Sequence, residues 1–256
     1  MAEKPPVALI TAGSAGLGAA AARLFAENRY RVAVNFNTNA ERANKVLEDM
    51  RQLSPLPQDT VKEGFVAIRA DLGRRDDINR LLQETIDKFG RLDVIFSNGG
   101  WTRFRGMVDI NENCYEGDWD RAFNMNVKAH LWLMQSAKEH LDETEGAFIT
   151  TASLAGVNHS GSSLAYSVTK AAQIHLVKAL AVMAAPNIRV NSVSPGLLLT
   201  DWAERFTDEQ KESHRQKTKL KRIATVEDVA EQVLTFAKSR STTGVNVVMD
   251  SGFMLG

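Results

Sequence analysis

The chain has 256 residues and a mass of 28.2 kDa, with 31 basic and 31 acidic side chains, 44% hydrophobic residues and 24% charged ones. That composition is average for a globular protein and excludes disorder and fibrous repeats, while zero formal charge and a pI near 7.0 leave no electrostatic footprint for nucleic acid or an anionic membrane. Cys114 is the only cysteine, which excludes an intramolecular disulfide and points to a reducing, cytoplasmic setting. No apolar run approaches the roughly 18 residues that span a bilayer, and residues 1–6 lack a signal peptide's apolar core.

Apolar runs of five or six residues alternate with stretches of helical period along the whole chain, the pattern of βα units on a parallel sheet. Strands are predicted at 7–10, 31–36, 65–70, 92–97, 147–151, 188–193 and 245–249. Helices are predicted at 17–27, 40–53, 75–89, 119–140, 165–183 and 226–238. The expected fold is α/β: one domain over 1–256, with a seven-stranded, mostly parallel sheet and helices on both faces. The polar stretch 54–64, with Pro55 and Pro57, is expected to be a surface loop. The long charged connection 197–222 carries Trp202 and Phe206 and is expected to serve as a substrate lid.

The first strand runs into Thr11-Ala12-Gly13-Ser14-Ala15-Gly16-Leu17-Gly18 and an alanine-rich helix. A strand feeding a glycine turn and a helix N-terminus gathers unpaired N–H groups where a pyrophosphate can sit. At the end of the second strand, Asn35-Phe36-Asn37-Thr38-Asn39 offers no acid to bond a ribose 2′-hydroxyl, and Arg42 follows one helical turn on. Neutral donors such as Asn37 and Thr38 favour NADP (NADPH) over NAD.

Ser153 ends the fifth strand, thirteen residues before Tyr166, at the carboxyl edge where α/β proteins bind ligands. Tyr166 and Lys170 are four apart at the start of a helix and so share one face. A free phenol titrates near pH ~10, and an adjacent ammonium lowers that value, which suits the pair to general acid catalysis. Trp101, Phe104, Trp202 and Phe206 hint at an apolar or aromatic ketone as substrate. The five histidines show no metal-binding spacing.

Two other classes compete for the same residues. Ala12-Gly13-Ser14-Ala15-Gly16 loosely resembles the nucleophile elbow of a serine hydrolase, with His214 as base. An elbow belongs on a later, central strand, however, and leaves Tyr166 and Lys170 without a task. A non-catalytic NADP-binding sensor of the same fold is the other alternative, and an intact Ser153, Tyr166 and Lys170 argue against it.

Over residues 7–252 the chain resembles the short-chain dehydrogenase/reductase family. Thr11, Gly16 and Gly18 match its cofactor turn, and Asp71, followed by Leu72, matches the acid that contacts adenine. Ser97-Asn98-Gly99-Gly100 stands where the family has Asn-Asn-Ala-Gly. Asn126 matches an asparagine whose helix distortion holds a relay water. Ser153, Tyr166 and Lys170 match the catalytic trio, and Asn191, Pro195, Gly196 and Thr200 match the segment flanking nicotinamide. The family's first turn glycine is Ala12 here, with Gly13 one place later.

The resemblance implies a Rossmann fold that binds NADP through Thr11, Gly13, Ser14, Gly16, Leu17, Gly18, Asn37, Thr38, Asp71, Leu72, Asn98, Gly99, Gly100, Tyr166, Lys170, Pro195, Gly196 and Thr200. It implies reversible reduction of a ketone or aldehyde, with the proton from Tyr166 and the carbonyl oriented by Ser153. Lys170 then lowers the phenol pKa and bonds the nicotinamide ribose. It also implies a homotetramer, built on the long helices from Trp119 and Ala165 and on the C-terminal strand.

Overall fold

A computed structural model describes residues 4–255; residues 1–3 of the opening 1–6 segment, and Gly256, lie outside the described residues. The strands are β1 (Val7–Ile10), β2 (Arg31–Phe36), β3 (Phe65–Arg69), β4 (Val94–Ser97), β5 (Ala147–Thr151), β6 (Arg189–Pro195) and β7 (Asn246–Met249). They form one seven-stranded sheet in the order β3-β2-β1-β4-β5-β6-β7. Every pairing is parallel, so the sheet is wholly rather than mostly parallel.

A parallel sheet covered on both faces needs strands that are apolar on both sides. Ala8 and Ile10 pack into one core with Val32, Val34, Phe96 and Ile149, while Val7 and Leu9 pack into the other with Ala33, Ile95 and Phe148. Successive side chains point to opposite faces, so unbroken apolar runs were required where amphipathic ones would have left one face bare. Helix α1 (Gly16–Glu27) covers the first face, joined by α2 (Ala40–Leu53), the short α3 (Gln58–Glu63) and, near the C-terminus, a helix spanning Val226–Lys238. On the second face lie α4 (Arg75–Phe89), α6 (Ala129–Asp142) and α7 (Leu164–Ala184), with α5 (Glu116–Phe123) packed against α7. Between β6 and β7 come α8 (Asp208–Lys217) and the Val226–Lys238 helix, α9.

Local chemistry sets the helix ends. Ile78, Leu81, Leu82, Thr85 and Phe89 give α4 a buried stripe, and Gly90, at φ 71°, ends it with an N–H to Ile86 O of 2.7 Å. Thr225 and Asp228 form a reciprocal capping box at the start of α9.

The structure corrects several expected boundaries. The stretch 54–64 is not all loop: Val61 is buried against the core and draws 58–63 into α3, behind Pro57 at the capping position. The helix expected over 119–140 begins at Glu116 and is interrupted by a π-helical turn, Asn124–Lys128, before α6. Within 197–222 lie a short 3₁₀ turn, Asp201–Arg205, and α8, whose Thr207–Gln210 capping box explains a helix that has no buried residue. The third strand stops at Arg69, the fourth begins at Val94, the sixth spans Arg189–Pro195 and the seventh begins at Asn246.

Chain order reverses beside β1, where β2 lies to one side and β4 to the other. The loops leaving those strands diverge and open a crevice at the carboxyl edge of the sheet.

Candidate active site

The turn after β1 is built by close backbone approach. A side chain at Gly13 would put its Cβ 2.9 Å from Val34 Cβ, and one at Gly18 would meet Ala12 O at 2.3 Å. Ala12 adopts φ 48°, the left-handed region that disfavours a Cβ. Asn35 holds it there, accepting from Ala12 N at 3.1 Å, while Gly13 N donates to Asn35 O at 2.8 Å. Buried Asn35 thus organises the turn from below, a role that its place in the 35–39 tip did not suggest. Ala15 caps α1 without a side-chain hydrogen bond, and no acid occupies the first turn. The free N–H groups and positive dipole end of α1 therefore face the crevice, and the chain fits a pyrophosphate there.

Thr11 and Asn98 lock the neighbouring strand ends together. Thr11 Oγ1 accepts from Asn98 N at 2.8 Å and Gly99 N at 3.1 Å, and Asn98 Oδ1 accepts from Thr151 Oγ1 at 2.8 Å. A Cβ at Gly99 would strike Leu72 Cδ1 at 2.2 Å. Asp71 Oδ1 accepts from Gly73 N at 2.9 Å, and its own N–H donates to Asp77. Asn191 is fully buried and bonds Thr242 O and Val245 N, so it ties β6 to β7 instead of facing the crevice.

A cavity of about 890 Å³ occupies this edge. Of the expected site residues it brings together Ser14, Gly16, Leu17, Asn98, Gly100, Ser153, Tyr166, Lys170, Pro195, Gly196 and Thr200. Thr11, Gly13, Gly18, Gly99 and Asn126 are buried and do not line it, Asp71 and Leu72 are half-buried outside its lining, and Asn37 and Thr38 are exposed outside it.

Ser163 caps α7 by accepting from Tyr166 N at 3.2 Å, which fixes the tyrosine in the first turn and Lys170 one turn later on the same face. Ser153 caps the 3₁₀ turn Leu154–Gly156 after β5, accepting from Ala155 N at 3.2 Å. Ser153 and Tyr166 line the same cavity, and the Ser153 hydroxyl lies near enough to the phenol to influence its titration. Burial pushes the Tyr166 pKa up and the Ser153 hydroxyl pulls it only partly back, so the net direction is upward, opposite to the lowering expected from Lys170, and the phenol is protonated at neutral pH. Lys170 Nζ lies 5.7 Å from the Tyr166 ring centre, and burial brings its pKa down to about 7.

Asn126 lies in the π-helical turn, fully buried. Its side chain accepts from Trp101 N at 2.7 Å and donates to Trp101 O and Thr169 Oγ1, so it fastens the segment after β4 to α7. Ser97, which replaces an asparagine of the family pattern, bonds His130 Nδ1 at 2.6 Å in the core. Burial first, then the Lys170 charge, push the His130 pKa down to about 3, so the ring is neutral.

Phe104 and Phe206 meet edge to face at 5.9 Å over the cavity, and the Trp202 ring lies 6.3 Å from that of Tyr166. Trp101 does not line this cavity; the guanidiniums of Arg103 and Arg121 lie 6.0 and 5.0 Å from its ring centre. Trp119 stacks on Phe123 and donates to Asn113 O, a packing role. His214, the base of the hydrolase alternative, stacks on Phe253 at 4.5 Å. Arg42 forms an ion pair with Asp201, and Thr200 packs against Gly16, so the segment after β6 reaches across the crevice to α2.

The chain matches the family model described as enoyl-(acyl carrier protein) reductase over residues 11–254. It is 33% identical over 254 residues to the "Granaticin polyketide synthase putative ketoacyl reductase 2" of Streptomyces violaceoruber, spanning 98% of this chain and 97% of that one. Identity to the 3-oxoacyl-(acyl-carrier-protein) reductase FabG of Staphylococcus aureus strain Mu50 is 30% over 252 residues, spanning 97% and 98%. A short chain dehydrogenase of Burkholderia cenocepacia J2315, solved in complex with NADP, has a TM-score of 0.84 at 27% identity, with 97% and 98% covered. No helix among the described residues is long and apolar enough to cross a membrane. Relatives matched from end to end, on a sheet whose order and crevice suit a dinucleotide, make this chain a member of the short-chain dehydrogenase/reductase family and an NAD(P)-dependent oxidoreductase.

Proposed function

We propose that the protein reduces a ketone or aldehyde to an alcohol with NADPH, reversibly, and that Tyr166 gives the proton. The observation that carries this is the convergence of Ser153, Tyr166 and Lys170 on the wall of one cavity that also contains the uncapped N-terminus of α1. Bound NADPH supplies the hydride. Ser153 orients the carbonyl oxygen toward Tyr166, whose phenol, protonated at neutral pH, donates as negative charge develops there. Lys170 would stabilise the phenolate left behind and would hold the nicotinamide ribose of the bound cofactor, and Asn126 would fix the π-helical turn beside Trp101 and Thr169 in support of the proton relay.

The substrate class follows from the cavity and from the relatives. Phe104, Trp202 and Phe206 form an aromatic roof within 197–222 and the 98–104 segment, and two relatives carry names of ketoacyl reductases. We assign an apolar or aromatic ketone, 3-oxoacyl thioesters included, with 197–222 as its lid. NADPH preference is supported by the lack of an acid at 37–39 and by Arg42 beside that tip, which would exchange its ion pair with Asp201 for the 2′-phosphate. The exposed Leu131, Val168, Val182 and Met183 on α6 and α7, and the free edge of β7, suit a homotetramer in the cytoplasm.

Fluorescence titration with NADPH and NADH, followed by NADPH oxidation with acetoacetyl-CoA, ethyl acetoacetate and 1-tetralone, tests this assignment. NADPH is expected to bind at least about tenfold more tightly, since a charge-assisted contact to the 2′-phosphate contributes about 1.5–3 kcal/mol. Arg42→Ala should erase most of that ratio and leave NADH binding unchanged. Binding of neither dinucleotide overturns the assignment at its base.

A further inference from the structure

We propose that Gln173 is a positioning residue for Lys170, holding the ammonium with a neutral acceptor so that one N–H and the full positive charge serve the cavity. This rests on the proton-transfer role assigned above to Tyr166 and Lys170.

The geometry is a closed ring. Lys170 Nζ donates to Thr151 O at 2.8 Å and to Gln173 Oε1 at 2.9 Å, while Gln173 Nε2 donates to the same Thr151 O at 3.1 Å. Gln173 is 0% exposed and Lys170 3%. An ammonium has three donors; two are spent on the ring, and the third is left on the side where Lys170 lines the cavity. Without the ring, a four-carbon stem has many rotamers to choose from.

The choice of an amide matters electrostatically. Besides Gln173 and the Thr151 carbonyl, three groups face the ammonium: Tyr166 one turn earlier on α7, neutral His130 from α6, and the Gly100 backbone after β4. Lys170 has no ion-pair partner among the described residues, so its charge reaches Tyr166 without local cancellation. A carboxylate in place of the amide would pair with the ammonium and cancel that field. An apolar side chain would leave a buried N–H unsatisfied and favour loss of the proton. Gln173 satisfies the donor and adds no charge. Burial already brings the Lys170 pKa down to about 7, so the acceptor that sustains the charged form matters most in the neutral range.

The test compares kcat/KM for carbonyl reduction against pH in the wild type, Gln173→Met and Gln173→Glu, using whichever of the three carbonyl probes the wild type turns over fastest. Gln173→Met should move the fall in activity at high pH down by about one unit, and Gln173→Glu should move it up by about one unit or more. The Glu variant should also lose about tenfold in plateau kcat, since its carboxylate weakens the field on Tyr166. A merely structural role changes both plateaus and moves neither pKa. Unmoved profiles, or shifts in the same direction, overturn the proposal. If one variant fails to fold, the direction of the other's shift decides alone. A wild type inactive on every carbonyl would instead overturn the reductase assignment, a result distinct from an active enzyme whose profile ignores residue 173.

Discussion

Tyr166→Phe is expected to lower kcat for carbonyl reduction by roughly 10²–10⁴-fold, the usual contribution of a positioned general acid, and to leave the NADPH dissociation constant within about twofold. The phenol shares the cavity wall with Ser153, and its loss removes no packing: the ring stays beside Trp202 and on the first turn of α7. Stopped-flow measurement of hydride transfer, with fluorescence titration of NADPH, separates the two effects. Near-normal turnover in this variant would remove Tyr166 from the mechanism, and loss of NADPH binding would make it a structural residue.

Gly18→Ala is expected to damage both stability and cofactor binding. The added methyl would lie 2.3 Å from Ala12 O and 2.8 Å from Asn98 Nδ2, and neither can retreat. Ala12 is held by Asn35, and Asn98 is held by Thr11 and Thr151. Overpacking of this kind costs about 1–3 kcal/mol, or a fall in Tm on the order of 2–10 °C at this chain length. NADPH affinity should fall by at least about tenfold as the turn moves away from α1. The opposite exchange one turn earlier, Ala12→Gly, relieves a left-handed alanine and should raise Tm by roughly 1–3 °C. Thermal melts of the two variants check both signs, and a lower Tm for Ala12→Gly would show that φ 48° carries no strain there.

Much of the site is legible in the sequence, because each of its parts is a short local motif with unambiguous spacing. The four-residue step from Tyr166 to Lys170 requires only a helix, and the glycine turn requires only a strand before it and a helix after it. Gln173, a glutamine in an apolar helix, carries no signal of its own in the sequence; its meaning comes from Thr151, which is 22 residues away. Asn35 was placed among the groups at the ribose tip, yet strand alternation turns it inward, under the glycine turn. Trp101 follows the right strand for the pocket, yet it lies outside the lining, with its ring beside Arg103 and Arg121. His130 and Ser97 are 33 residues apart and form a pair only because α6 crosses behind β4.

By itself, the sequence determined the α/β class, the seven strands and the helices of the main crossovers. Hydrophobic period is a local property, and each buried strand had to be apolar on both faces wherever it lay in the sheet. It also determined the chemistry available, through the serine, the tyrosine and lysine, and the glycine turn. Only the tertiary structure decided which of these groups share a cavity, since that depends on strand order and on where the chain reverses beside β1. The π-helical turn, the ion pair between Arg42 and Asp201, and the ring that holds Lys170 were likewise decided there. Each depends on partners distant in sequence, whose meeting is set by packing and hydrogen-bond satisfaction rather than by local preference.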